Sequence, residues 1–124
     1  MNDVLGRIYV LKAARVVYDM DSQGRIICET HYDEEDNILA VINNEWQGDR
    51  INIIRWSAPP DEGRIVFRFS GKDRIGEDDY RNGVLERKVT VQGNNEIEEI
   101  FMYGRVILRA VWENGRKISE ERLR

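Results

Sequence analysis

Asp19, Asp21 and Gly24 stand as D-x-D-x-x-G, the opening of a calcium-binding loop. Carboxylates would supply the oxygen ligands and the glycine the sharp turn between them. A helix–loop–helix calcium site also needs a bidentate Glu at its twelfth position, which here is Thr30, and the flanks read as strands. A tight polar turn asks for the same Asp and Gly, so no metal ligand and no cofactor is assigned. Cys28 and His31 bring a thiol and an imidazole three residues apart. In a strand that spacing points them to opposite faces, which speaks against a nucleophile pair. Cys28 reads as core and His31 as surface, and one of each makes no closed zinc site. Three acidic clusters, Asp33 to Asp36, Glu77 to Asp79 and Glu96 to Glu99, hold enough carboxylates for glycosidase-type acid and base work. Charge runs in turns are usually solvated. No catalytic residue is assigned and the chain reads as a non-enzyme, unless two clusters meet in one pocket.

Trp46, Trp56 and Trp112, with Tyr80 and Tyr103, could form an aromatic platform for sugar or peptide. Trp46 and Trp112 share the parity of the apolar positions around them and read as buried. Trp56 takes the opposite parity and precedes "SAPP". It is the candidate exposed contact residue, in a groove beside Tyr80 or Glu77.

The chain that must position these groups has 124 residues, enough for one domain spanning 1–124. Ile and Val number 25 against six Leu and five Ala, a choice that suits pleated sheet over helix. The formal net charge is -4, with Arg and Lys interleaved among Asp and Glu, which argues against nucleic acid as a partner. Cys28 is the only cysteine, so no intrachain disulfide can form. No window is long and apolar enough for a membrane span. The N-terminus lacks a signal-peptide pattern, since Lys12 and Arg15 break its apolar run. Taken as it stands the chain is expected in the cytoplasm, or outside it if it is a mature or excised piece.

A short word recurs: Gly or Asp, then Arg, then Ile or Val. It appears at Gly6-Arg7-Ile8, Gly24-Arg25-Ile26, Asp49-Arg50-Ile51, Gly63-Arg64-Ile65, Asp73-Arg74-Ile75 and Gly104-Arg105-Val106, with a variant at Gly115-Arg116-Lys117-Ile118. Looser copies at Asn37-Ile38, Gly83-Val84 and Glu96-Ile97 fill the gaps, so that beyond residue 25 a strand and a turn follow each other about every dozen residues. Asn82-Gly83 and Asn114-Gly115 are two-residue hairpin signals. Short turns between successive strands predict antiparallel neighbours. The expected fold is therefore all-β, an antiparallel meander of about ten short strands built from hairpin repeats, as a curved sheet or a sandwich. The segment from Leu5 to Arg15 is the one place where a helical turn could stand.

Counting from each anchor Arg, odd steps share an apolar face: Ile26, Cys28 and Tyr32; Ile38, Ala40, Ile42 and Trp46; Ile65, Phe67 and Phe69; Val106, Leu108, Ala110 and Trp112. The other face is half apolar, with Ile27, Leu39, Val41 and Ile107 as candidate surface contacts for a partner or a second copy. The middle unit "RIGEDDYRNG" carries almost no core residue and reads as an edge or a protruding hairpin.

"YDMDSQGRI" at 18–26 resembles the YD repeat of Rhs-type and teneurin-type proteins, with Tyr18, Asp19, Gly24, Arg25 and Ile26 on the pattern. Tyr32-Asp33 followed by Asn37-Ile38 is a looser copy, and later copies keep only the Arg-Ile word. "YRNGVLE" and "WENGRKISEE" are similar to the MORN-type hairpin repeat. The resemblance implies stacked hairpins in a curved or spiralling sheet, of the kind that forms shells and surface modules of larger proteins. The expected function is a non-catalytic scaffold or protein-binding module working through its sheet face and edges, alone or as a homo-oligomer. The alternative is a module that holds carbohydrate or cell-envelope material on aromatic and acidic surface residues.

Overall fold

A computed structural model describes residues 13–123. Ten strands follow one another: β1 (Arg15–Met20), β2 (Ile26–Tyr32), β3 (Ile38–Gln47), β4 (Arg50–Ala58), β5 (Asp61–Ser70), β6 (Asp73–Arg81), β7 (Val84–Gln92), β8 (Asn95–Met102), β9 (Arg105–Glu113) and β10 (Arg116–Arg122). They form one antiparallel sheet in chain order, a meander that does not close into a barrel. It is a single layer, so the sandwich alternative is not realised. No helix among the described residues is long and apolar enough to cross a membrane. The Gly6-Arg7-Ile8 anchor, and the segment from Leu5 onward short of Ala13, lie outside the described residues.

The turns follow from their residues. Gly48, Gly71 and Gly93 open two-residue loops at φ of 64°, 61° and 61°. Asn82-Gly83, Tyr103-Gly104 and Asn114-Gly115 hold positive φ at both positions. These are the backbone signs that match the right-handed twist of flanking strands. The β1–β2 and β2–β3 turns are longer and alike. Asp21 Oδ1 accepts the amides of Gln23 and Arg25, as Asp33 Oδ1 accepts those of Glu35 and Asn37. Both oxygens of Asp21 are thus engaged, Oδ2 by Arg25 Nε at 2.7 Å, and the calcium-like motif is an aspartate turn.

The repeated Arg ties one hairpin to the next. Arg25 lies over the Trp46 ring at 5.6 Å and donates to the Gly48 carbonyl. Arg50 lies over Phe69 at 4.0 Å and donates to the Gly71 carbonyl at 2.5 Å. Each guanidinium reaches the turn of the hairpin two strands on and covers the aromatic residue before it.

Seven strand pairs carry a bulge, and its place is constant. The extra residue lies just after the anchor: Ile27, Leu39, Asn52, Ile75, Glu86, Ile107 or Ile118. A bulge adds a residue without a partner, bends the strand and increases its twist. It also resets which side chains face the core, and this corrects several expectations. In β2 the core set moves from Cys28 to His31, which is 4% exposed, while Cys28 is only half-buried. In β4 it moves to Ile54 and Trp56, so that Trp56 is 6% exposed and not a surface contact. Ile38, expected inside, is exposed. Three of the four candidate apolar contacts, Ile27, Leu39 and Ile107, are bulge residues. Val41 stands opposite Thr30 and Ser57 on the outer face, half-buried.

The core lies on one face. Ala40, Ile42, Ile54, Trp56, Ala58 and Ile65 are buried together across β3 to β5, with Phe67 and Ile51 packed on them. Gly63 lies opposite Trp56 because no larger residue fits: a Cβ there would stand 2.6 Å from Trp56 Cζ2 and 2.2 Å from the Tyr80 carbonyl.

Candidate functional site

Beyond β5 the same face turns from apolar to ionic. Alternation in "GEDDYR" sends Glu77, Asp79 and Arg81 to the core side and Asp78 and Tyr80 to the other. The register sets Ile65 against Asp79, Asp79 against Arg87, and Phe67, Glu77, Val89, Glu98 and Ala110 in one row. The expectation of an edge strand for β6 is therefore corrected. It runs through the middle of the sheet, with Glu77 1% exposed and Asp79 buried. The strand tolerates this position because Arg87 of β7 and Arg74 of β6 itself bring guanidinium groups to its buried carboxylates.

Arg87 is the centre. Its Nε donates to Glu98 Oε2 at 2.5 Å, and its Nη1 lies 3.1 Å from Asp79 Oδ2 and 3.4 Å from Glu77 Oε2. Arg74 reaches Glu77 Oε1 at 3.5 Å and pairs with Glu96. The Trp112 indole N–H donates to Glu98 Oε1 at 3.0 Å. Burial alone would lower the pKa of Arg87. The hydrogen bond to Glu98 and the charges of Asp79, Glu98 and Glu77 outweigh burial and raise it above the usual arginine value. The guanidinium is a fixed positive charge that draws three strands together.

Two of the three acidic clusters, Glu77 to Asp79 and Glu96 to Glu99, thus converge, and Asp33 to Asp36 stays apart in its turn. A concavity of about 600 Å³ opens beside them, lined by Asp79, Arg87, Glu98, Ile100, Phe101 and Ile107 among others. Its volume is that of a small-ligand site. Its carboxylates, though, are already ion-paired: Glu98 uses one oxygen for Trp112 and the other for Arg87. The arrangement can hold strands in register and offers a charged wall to a partner.

Trp56 and Tyr80 both border a smaller concavity of about 370 Å³, yet they do not form a platform. The Trp56 ring packs in the core against Gly63 and under Arg81, whose guanidinium sits 5.0 Å from it. The Tyr80 ring is covered by Arg64 at 4.1 Å. An aromatic sugar platform needs open ring faces, which Trp56 lacks.

The outer face carries a feature missed at the level of sequence. Asp78, Lys88, Glu99, Arg109 and Glu121 stand directly opposite one another from β6 to β10, alternating in sign. Arg68 adds a cation 3.3 Å from Asp78, and Arg109 lies 3.0 Å from Glu99. Opposite charges in facing positions stabilise a sheet and like charges oppose it. The row ends at Glu121 on β10, a strand whose seven residues are all exposed and which pairs, among the described residues, with β9 alone. No family model, no curated protein and no solved structure matches the chain.

Proposed function

We propose that this chain is a non-catalytic β-repeat module that binds protein through the ends and the charged outer face of its sheet. The observation that carries the proposal is β10, whose seven residues are all exposed and which is bonded on one side among the described residues. A strand in that state offers backbone donors and acceptors to another chain, and strand addition is a common way for sheets to take partners. The charges on it, Lys117, Glu120, Glu121 and Arg122, discourage indiscriminate pairing and favour a partner of complementary pattern. The hairpin rhythm and its resemblance to YD repeats support a scaffold role, and the ion-paired carboxylates around Arg87 support one without catalysis. A photoreactive residue in place of Ile118 tests the proposal in cells. Adducts with protein are expected, and Glu120→Pro should abolish them. No protein adduct, or equal adducts in the proline variant, would overturn it.

A further inference from the structure

Which strand fits against β10 follows from three features of β10 and β1, the two ends of the sheet among the described residues. The first is bonding parity. Leu123 donates its amide to the Ile107 carbonyl at 2.9 Å, which turns Arg122 and Glu120 outward, away from β9. At the other end Asp21 donates to the Arg25 carbonyl at 3.0 Å, which turns Met20, Tyr18 and Val16 away from β2. The second is face. Glu120 lies opposite Ala110 and Arg122 opposite Leu108, on the core side. Val16 lies opposite His31 and Tyr18 opposite Glu29, also on the core side. An antiparallel pair of β10 and β1 therefore forms without turning one sheet over relative to the other. Had either strand the other parity, the core face of one sheet would continue as the outer face of the next.

The third is charge. With Val16 set opposite Glu120, Arg15 falls opposite Glu121 on the outer face. The row that alternates as Asp78, Lys88, Glu99, Arg109 and Glu121 then continues with a cation. Towards the turn end the same register brings Arg116 towards the turn after Met20. Arg116 is the register equivalent of Arg50, since Glu113–Arg116 and Gln47–Arg50 close matching two-residue turns. Arg50 is the residue that caps the following hairpin's turn.

We infer that a second copy of this chain adds its β1 to β10 of the first, head to tail, so that one sheet runs on through successive copies. This rests on the reading of the sheet ends as the working surface, and it names the occupant. A head-to-tail contact is heterologous and leaves one β10 and one β1 open on every dimer, so assembly grows past the dimer with concentration, into a ring where the rotation closes and a filament where it does not.

The test uses proline at outward amides, which make no ladder bond among the described residues. Glu120→Pro blocks the β10 end and Tyr18→Pro the β1 end. In sedimentation velocity the wild type should grow in mass with concentration past the dimer. Each proline variant alone should stay monomeric. An equimolar mixture should stop at the dimer, because one intact β10 meets one intact β1. Thermal melts check that both variants fold. Should they not, Arg15→Glu and Glu121→Arg serve instead: each alone should weaken association roughly fivefold, and their mixture should restore it. A monomeric wild type at millimolar concentration overturns the inference. So does Tyr18→Pro dimerising alone, which would mean β10 pairs with β10. Adducts from position 118 that contain another protein and never this chain would leave the binding proposal standing and sink this one. Absence of all adducts would sink both.

Discussion

Replacing Arg87 with methionine keeps most of the stem and removes the guanidinium. Contacts to Glu98 at 2.5 Å, Asp79 at 3.1 Å and Glu77 at 3.4 Å are lost together. Glu77 keeps Arg74 and Glu98 keeps Trp112, so the carboxylates are not all abandoned. Removing one member of a buried ion group costs about 3–5 kcal/mol. The Arg87 side chain retains 23% exposure, which admits some screening and favours the lower end, about 3 kcal/mol. In a domain of this size that is a fall in Tm of about 10 °C. The sign of the pH dependence separates this loss from simple loss of packing. The raised pKa of Arg87 makes its stabilisation present at all pH below the arginine range and lost only as pH rises through it. In the variant, crowded carboxylates without their cation gain by taking a proton. The deficit should be largest near neutral pH and shrink towards pH 5. Urea unfolding of both proteins at pH 7.5 and pH 5 measures it. Adding Asp79→Asn and Glu98→Gln to Arg87→Met should recover most of the loss at neutral pH. An equal deficit at both pH values, or one below about 1 kcal/mol, would refute the cluster as a stabilising group.

Two further outcomes are expected. Tyr103 holds φ of 54° at a turn tip where its ring is 93% exposed, so Tyr103→Asn, which suits that conformation, should stabilise by about 0.5–1 kcal/mol; a lower Tm would show that the ring makes a contact of value. The backbone amide of Arg25 lowers the pKa of Asp21, as that of Asn37 lowers that of Asp33. Their help to the two turns is therefore full above the ordinary value of 3.8 and is lost as pH falls through the lowered values. Carboxyl NMR titration should find both midpoints below 3.8, and a midpoint at or above it would refute the turn bonding.

The meander was legible because its turns are written in local chemistry. Gly or Asp before Arg and Ile or Val marks the starts of β2, β4, β6 and β9, while Gly63-Arg64-Ile65, expected at a turn, lies inside β5; Asn-Gly marks two of the tightest loops. Face assignment failed where alternation is interrupted by something a parity count cannot see. One extra residue at Ile27 exchanges Cys28 for His31 on the core side, and one at Asn52 exchanges Ile53 for Trp56. A signal was present, though only in hindsight of the repeat: apolar residues follow each other directly after the anchor, as Ile26-Ile27, Ile38-Leu39 and Val106-Ile107 do. The acidic middle was misread for a different reason. "GEDDYR" taken alone belongs on an edge, and only the register reveals that Arg87 of β7 stands beside it. Pairing of charges between strands is a property of the register, and strand sequences read one at a time do not display it.

The two halves of the core face answer the same problem by different means. A single layer has no second sheet to bury its apolar side, so neighbouring strands must cover one another. Across β3 to β5, Trp56, Ile54 and Ile65 do this, with Gly63 giving the indole room. Across β6 to β9 long guanidinium stems lie over carboxylates. Polar strands are prone to slip, and apolar ones are held by their buried side alone. Here a slip of one residue would carry Glu77 and Arg87 to the outer face. A slip of two between β7 and β8 would set Lys88 against Ile97 or Phe101 and lose its partner Glu99. Charge is therefore the register key of this half of the sheet. It is also what reaches β10, because the alternating row that fixes β9 on β8 and β10 on β9 does not stop short of the last described strand. The rule that aligns strands within the chain is the rule a strand from another copy would have to satisfy.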